Sequence, residues 1–170
     1  MTSELLDRAL IEEAAKKSGL IWVRGADSPA ARALWHVWHE GAVCLVGDGP
    51  GEQPLEGLAD GGRAEVTARS KDKGGRLVTF PATVSELPAG SAEWEAAVAE
   101  LKTKRLNAPD GERMPARWAR ECRVLRLVPA GAVLPLPDGS LAEAPVPTPA
   151  TTRTPIPAGL PRLLAKRRKK

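Results

Sequence analysis

The stretch "LWHVWHEGAVCLVG" (34–47) places two tryptophans and two histidines within five consecutive positions. Imidazole binds metals and transfers protons, and tryptophan forms pocket walls or core. The β-branched and aromatic residues on both sides of "HEG" predict a β-hairpin, whose side chains alternate between two faces. His36 and His39 then lie on opposite faces and cannot share a metal, so no metal site is predicted. His36 belongs either to the core or to a pocket.

Cations crowd a second predicted hairpin, "RAEVTARSK–DKGG–RLVTFPATV" (63–84). The two-residue period of a strand puts Arg69 and Lys71 on one face, with Thr67 in the same row. Lys73 and Arg76 follow across the turn. Two such cations can hold a phosphate through charge-assisted hydrogen bonds, and a solvated hairpin tip is the alternative interpretation.

A glycine- and proline-rich connection, 47–62, joins the two hairpins. Such a loop can bring backbone N–H groups close to a phosphate. It contains neither a P-loop pattern nor the strand–loop–helix setting of a dinucleotide-binding motif, so alone it does not predict a nucleotide site.

The remaining elements complete a mainly β fold. An N-terminal helix is expected to bury the stripe Leu6, Leu10 and Ala14. A second, long helix follows the second hairpin, begins at Ser91 and presents Trp94, Ala97, Val98 and Leu101. Short strands are expected at Leu20–Arg24 and Glu121–Val128, with a loop at 107–115. We therefore predict a barrel of antiparallel strands with flanking helices.

Composition changes after Val128. Nine of the sixteen prolines lie from Pro129 onward, and the chain ends in "KRRKK". Seven cations against two acids in this part account for the net charge of +4, since the part before it is nearly neutral. We predict a domain at 1–128 and a disordered, proline-rich tail with a basic end at 129–170. The nearly neutral body argues against nucleic acid as a partner, although the tail offers phosphate contacts.

The cellular setting follows from three features. The first seventeen residues carry four acids and no apolar run, and no stretch is apolar enough to span a membrane. Cys44 and Cys122 are far apart and belong to no CxxC pair, which is typical of reduced, buried cysteines. We expect a cytoplasmic protein.

In its order of elements the chain resembles the pyridoxamine 5'-phosphate oxidase-like flavin-binding split barrels. The resemblance covers about Glu4 to Val128. It includes the leading helix, the strand "RALWHVW", the apolar strand "AVCLVG", the loop ending in "LEGL", the hairpin 63–84 and the helix "EWEAAVAELKTKRLN". It implies a homodimer that binds flavin mononucleotide (FMN) between its subunits and acts as a small oxidoreductase, with the hydride carried by the cofactor.

The resemblance also implies a set of cofactor-binding residues. The family holds the cofactor phosphate with arginine, lysine and hydroxyl groups, and its isoalloxazine ring lies against strand backbone. By position, the strand arginine and the ring wall correspond to Arg32, Trp35, His36 and Val37; the loop start to Gly47 and Asp48; and the phosphate-binding cations to Arg69, Lys71 and Arg76.

One departure from the family pattern concerns the loop. Where the family places a serine or threonine and then a lysine, this chain has Glu52 and Gln53, and an acid there would repel a phosphate. Either Arg69 and Lys71 replace the lost charge, or the barrel binds a deazaflavin (F420), or it binds no cofactor. No catalytic acid or base is predicted.

Overall fold

The computed structural model describes residues 3–135. The predicted domain lies almost entirely within this range, whereas most of the predicted tail, 136–170, lies outside the described residues. Residues 130–135 continue along the start of a strand of the barrel, with backbone hydrogen bonds from Ala130 to Pro81 and from Leu134 to Thr79. Packing against the barrel therefore extends past Val128.

Within residues 3–135, seven antiparallel strands form a single sheet, and three α-helices accompany it. In chain order the elements are α1 (Ser3–Lys17), β1 (Leu20–Gly25), β2 (Arg32–Trp35), β3 (Val37–His39), β4 (Ala42–Gly47), β5 (Arg63–Arg69), β6 (Arg76–Glu86), α2 (Ala92–Lys104), a 3-10 turn (Gly111–Arg113), α3 (Met114–Glu121) and β7 (Arg123–Pro129).

The strand order explains how the sheet closes. It runs β2-β1-β5-β6-β7-β4-β3. The two end strands, β2 and β3, are consecutive in the chain and separated only by His36. The sheet therefore curls into a barrel with its opening at this residue. The predicted antiparallel barrel with flanking helices is confirmed.

Two apolar clusters hold the barrel together. The first fills the interior and includes Ile21, Val66 and Phe80. The second lies between the outer face of β3, β4 and β7 and the helices α2 and α3, and includes Trp94 and Trp118. β4 contributes alternately to both clusters, which is why all six of its residues are buried.

The face alternation predicted for 34–38 is confirmed. Leu34 belongs to the interior cluster and Trp38 packs against it, whereas Val37 belongs to the outer cluster and Trp35 packs against that one. Both faces of this segment are covered, so neither tryptophan stands in open solvent.

The buried stripe predicted for α1 is wrong for two of its three residues. Leu6 and Leu10 are exposed, and the helix buries Ile11, Ala14 and Ala15 instead. The sequence offers more than one apolar stripe on this helix. The stripe that packs joins the interior cluster through Ile11 and the small alanines Ala14 and Ala15.

Two further expectations need correction. The helix α3 was not predicted, and it occupies the start of the expected last strand, so that β7 begins at Arg123 rather than at Glu121. Pro115 in its first turn and the i, i+4 pair Met114 and Trp118 are the local signals for it.

Candidate functional site

A cation-lined groove lies where the C-terminal end of α1 meets the β5–β6 hairpin. Its volume is about 530 Å³. Its walls carry four cations, one acid, one hydroxyl and one exposed leucine, contributed by Lys16, Lys17, Arg69, Ser70, Lys71, Asp72 and Leu77. The structure therefore brings Arg69 and Lys71 together, and α1 adds two lysines that strand periodicity could not point to.

The two walls of the groove are fastened to each other. Ser18, buried at the end of α1, places its hydroxyl 2.8 Å from the Ala14 carbonyl and 3.1 Å from the Arg69 carbonyl. Gly19 follows, and the stem of Lys71 lies close to it. The helix end is thus held against the last residue of β5, which fixes the spacing of the groove's cations.

A β-bulge shapes the hairpin side of the groove. Ala68 pairs with Val78, but Arg69 pairs with Arg76, so Leu77 is the extra residue of β6. Bulges redirect side chains, and here Leu77 is 46% exposed at the groove wall. The Arg69 guanidinium carbon lies 4.9 Å from the centroid of the Trp22 ring, a cation–π contact.

The other predicted phosphate ligands are engaged elsewhere. Arg76 donates to the Pro135 carbonyl at 3.0 Å, and Arg32 forms an exposed ion pair with Glu56. The Thr67 hydroxyl is paired with that of Thr79 at 2.8 Å. None of these three lines the groove.

The predicted ring wall, Trp35 to Val37, is internally satisfied. Gln53 accepts a hydrogen bond from the Trp35 amide and donates one to the Trp35 carbonyl, both at 2.9 Å. It also donates to the Val46 carbonyl at 3.2 Å. A side chain from the loop thus takes the place of a neighbouring strand, bridging β2 and β4 at the opening of the barrel.

His36 lies in the core. It is 2% exposed, and its Nε2 lies 2.8 Å from the Ala15 carbonyl of α1. Burial lowers the pKa of His36 to about 4; the hydrogen bond to Ala15 opposes this shift and nearby Lys104 adds to it. His36 is therefore a neutral imidazole of the core, and its hydrogen bond attaches α1 to the barrel.

Gly47 and Asp48 shape the start of the loop. A side chain at Gly47 would collide with the Gln53 carbonyl, since a Cβ there would lie 2.2 Å from that oxygen. Asp48 accepts from the Leu55 amide at 2.7 Å and from Arg123 at 3.1 Å. Both residues close the loop on itself, and neither lines the groove.

The side chain of Glu52 is fully buried and has its own partners. The residue as a whole is half-buried, but its side chain is 0% exposed. Its carboxylate accepts hydrogen bonds from Arg105 at 3.1 Å, Arg117 at 3.0 Å and the indole N–H of Trp118 at 3.1 Å. Glu52 and Asp110 together raise the pKa of the Arg117 guanidinium above its usual range, with Asp110 the larger cause. The negative charge of Glu52, the acid that departs from the family pattern, is thus compensated by two arginines of the protein. Its carboxylate is occupied and does not face a ligand site.

Comparison with known proteins supports the fold. The heme storage protein HutZ from Vibrio cholerae superposes with a TM-score of 0.55 at 13% identity, over 73% of this chain and 90% of that one. The barrel is a split barrel. An F420 reductase matches at 15% identity over 71% of this chain and 93% of that one, with a TM-score of 0.48. The FAD and heme binding protein from Mycobacterium smegmatis matches at 15% identity, 91% and 92% coverage and a TM-score of 0.45.

The likeness is one of fold. No family model matches the chain, and no curated protein matches it. The split barrel predicted from the sequence is therefore shown, whereas membership of the pyridoxamine 5'-phosphate oxidase-like family is not. Within residues 3–135, no helix is long and apolar enough to cross a membrane.

Proposed function

We propose that this split barrel binds a phosphorylated flavin-type cofactor, with FMN as the first candidate, and serves as a small oxidoreductase. The observation that supports the proposal is the groove, in which Arg69 and Lys71 stand with Lys16 and Lys17 around a space large enough for a phosphate and its attached chain. A bound flavin would supply the hydride chemistry, and the protein would supply binding and orientation.

The phosphate arm of such a cofactor fits the residues present. Lys16 and Lys17 form ion pairs with Glu12 and Glu13 on the exposed face of α1, which leaves Arg69 and Lys71 as the cations available to a ligand. Neither has an acid partner among the ion pairs of residues 3–135. Each charge-assisted hydrogen bond to a phosphate contributes about 1.5 to 3 kcal/mol.

The ring wall expected from the resemblance does not fit. The amide and carbonyl of Trp35 are both bonded to Gln53, His36 is buried, and Val37 lies in the outer core. A ring could reach this backbone only by displacing Gln53. The ring of a bound ligand therefore has to lie away from Trp35–Val37.

Phosphate recognition can be tested by titration. Wild-type protein is expected to bind FMN more tightly than riboflavin, which lacks the phosphate. Arg69→Ala and Lys71→Ala should each weaken FMN binding by about ten- to a hundredfold and leave riboflavin binding unchanged. The measurement is quenching of flavin fluorescence.

The matched control for this titration is Lys73→Ala. Lys73 is an exposed cation of the same hairpin that does not line the groove, so its removal should change FMN binding by less than about threefold. Equal affinity of the wild type for FMN and riboflavin would contradict the proposal. If F420 replaced FMN as the tighter ligand, the cofactor would be a deazaflavin, and if neither bound, the barrel would be cofactor-free.

We also propose a homodimer. The tryptophans of residues 34–38 offer no exposed surface for it, because both faces of that segment are covered. The helix α1 supplies such a surface, since Leu5, Leu6 and Leu10 are 57%, 56% and 46% exposed along one helix. Contiguous apolar surface of this kind marks an association site.

Sedimentation equilibrium should give about twice the chain mass of 18.0 kDa at micromolar concentration. The double substitution Leu6→Glu and Leu10→Glu is expected to shift the protein to the monomer, since it places two acids in the apolar surface. Leu106→Glu is the control, because Leu106 is 75% exposed on the loop after α2. A wild-type mass of one chain would overturn this proposal.

A further inference from the structure

Apolar side chains flank the cationic groove on the outer face of the barrel. Leu20 is 45% exposed on β1 and Leu77 is 46% exposed at the bulge of β6. Trp22 lies two residues from Leu20 on the same face of β1, about 7 Å further along the strand, and is half-buried. The groove therefore borders a surface that suits a flat, apolar group.

Trp22 differs from the other tryptophans of the chain. Trp94 and Trp118 are core residues, and Trp35 and Trp38 pack against the two core clusters. Trp22 belongs to neither cluster, and its ring meets the guanidinium of Arg69. Trp22 is thus expected to contribute less to folding than the others do. Its ring is covered by a long, flexible arginine side chain and not by core residues.

The contact that covers Trp22 is made by the same arginine that lines the groove. A cation–π contact at an exposed site is weaker than a charge-assisted hydrogen bond to a phosphate. A ligand ring that stacks on Trp22 replaces this weak contact, and an anion in the groove offers the displaced guanidinium a stronger partner.

We propose that Trp22 is the stacking surface for the aromatic ring of a ligand whose anionic arm binds Arg69 and Lys71. This rests on the proposed function and deepens it, because it moves the ring from the backbone of Trp35–Val37 to the outer face of β1. The ligand class is a flat, multi-ring aromatic compound with a phosphate on a flexible arm. Leu20 and Leu77 border the ring.

The test distinguishes the contribution of the ring to binding from that of the phosphate. FMN and riboflavin are titrated against the wild type, Trp22→Leu, Trp22→Thr and Trp22→Phe, with near-UV circular dichroism to confirm that each variant is folded. Both ringless variants are expected to weaken FMN and riboflavin by the same factor, about tenfold. Trp22→Phe keeps a ring and is expected to restore most of the affinity.

Each other outcome overturns the inference. If Trp22→Leu and Trp22→Thr bind both ligands as the wild type does, the ring lies elsewhere. If they weaken FMN alone, Trp22 only positions Arg69. In both cases the preference of the wild type for FMN over riboflavin, and its loss in Arg69→Ala, would leave the proposed function standing. A wild type that binds neither ligand would overturn both proposals together.

Discussion

Replacing Glu52 by alanine is expected to lower the free energy of unfolding by about 3 kcal/mol or more. The carboxylate of Glu52 is completely buried, and its removal leaves Arg105 and Arg117 without their shared partner and the Trp118 indole N–H without an acceptor. Breaking a buried ion pair by removing one partner is costly because the remaining charge stays desolvated. Urea denaturation followed by tryptophan fluorescence measures the change.

Glu56→Ala is the matched control for this substitution. Glu56 lies four residues further along the same loop and pairs with Arg32, but its side chain is 71% exposed. Its removal should cost less than about 1 kcal/mol, since exposed ion pairs contribute little. Glu52→Gln keeps hydrogen-bonding capacity without the charge and is expected to fall between the two. Equal losses for Glu52→Ala and Glu56→Ala would contradict the structural role assigned to Glu52.

Glu52→Ala is also expected to loosen the opening of the barrel. Glu52 precedes Gln53, whose side chain bridges Trp35 and Val46 across that opening. The ion pairs of Glu52 hold the loop against α2 and α3, and the loop in turn presents Gln53 to the strands. Loss of Glu52 therefore loosens both attachments, which is why its effect is expected to exceed that of a single hydrogen bond.

The second large effect is a pH dependence that comes from His36. Its pKa is lowered by burial to about 4, whereas in the unfolded chain it returns to its ordinary value near 6.5. Below pH 6.5 the unfolded state takes up a proton that the folded state does not. The stability due to neutral His36 is thus fully present above pH 6.5, falls as pH decreases toward 4, and is lost below it. The total is about 3 kcal/mol.

Paired variants isolate this contribution from that of the carboxylates. The difference in unfolding free energy between pH 7 and pH 4 should be about 3 kcal/mol smaller in His36→Gln than in the wild type, because glutamine does not titrate. His39→Gln is the control, since His39 is only half-buried at the β3–β4 turn. An unchanged pH profile in His36→Gln would show that His36 does not carry the effect.

The buried position of His36 also explains the sign of its pKa shift. With the Nε2 proton directed at the Ala15 carbonyl, a second proton would have to go to Nδ1, which has no hydrogen-bond partner among residues 3–135. A charged imidazole there would carry a buried, unsatisfied N–H in addition to its desolvation cost. Acid therefore weakens the attachment of α1 to the barrel opening.

The features that the sequence determined are those that depend on near neighbours. The alternation of side chains in 34–38, the turn of the β3–β4 hairpin and the cap of α2 at Ser91 follow from strand geometry, turn chemistry and capping within a few residues. Arg69 and Lys71 also lie close together because they are near in sequence, but β5 ends at Arg69 and Lys71 belongs to the turn, so strand periodicity does not account for their placement.

Only the tertiary structure decided the rest, because the partners are distant in sequence. Glu52 meets Arg105 and Trp118, which lie 53 and 66 residues away, and no local pattern distinguishes that ion pair from a ligand-repelling acid. The choice between the apolar stripes of α1 depends on which face of the helix meets the barrel. The Trp22–Arg69 contact likewise requires β1 and β5 to pair in one register, which the 46 residues between Trp22 and Arg69 leave undetermined until the barrel closes.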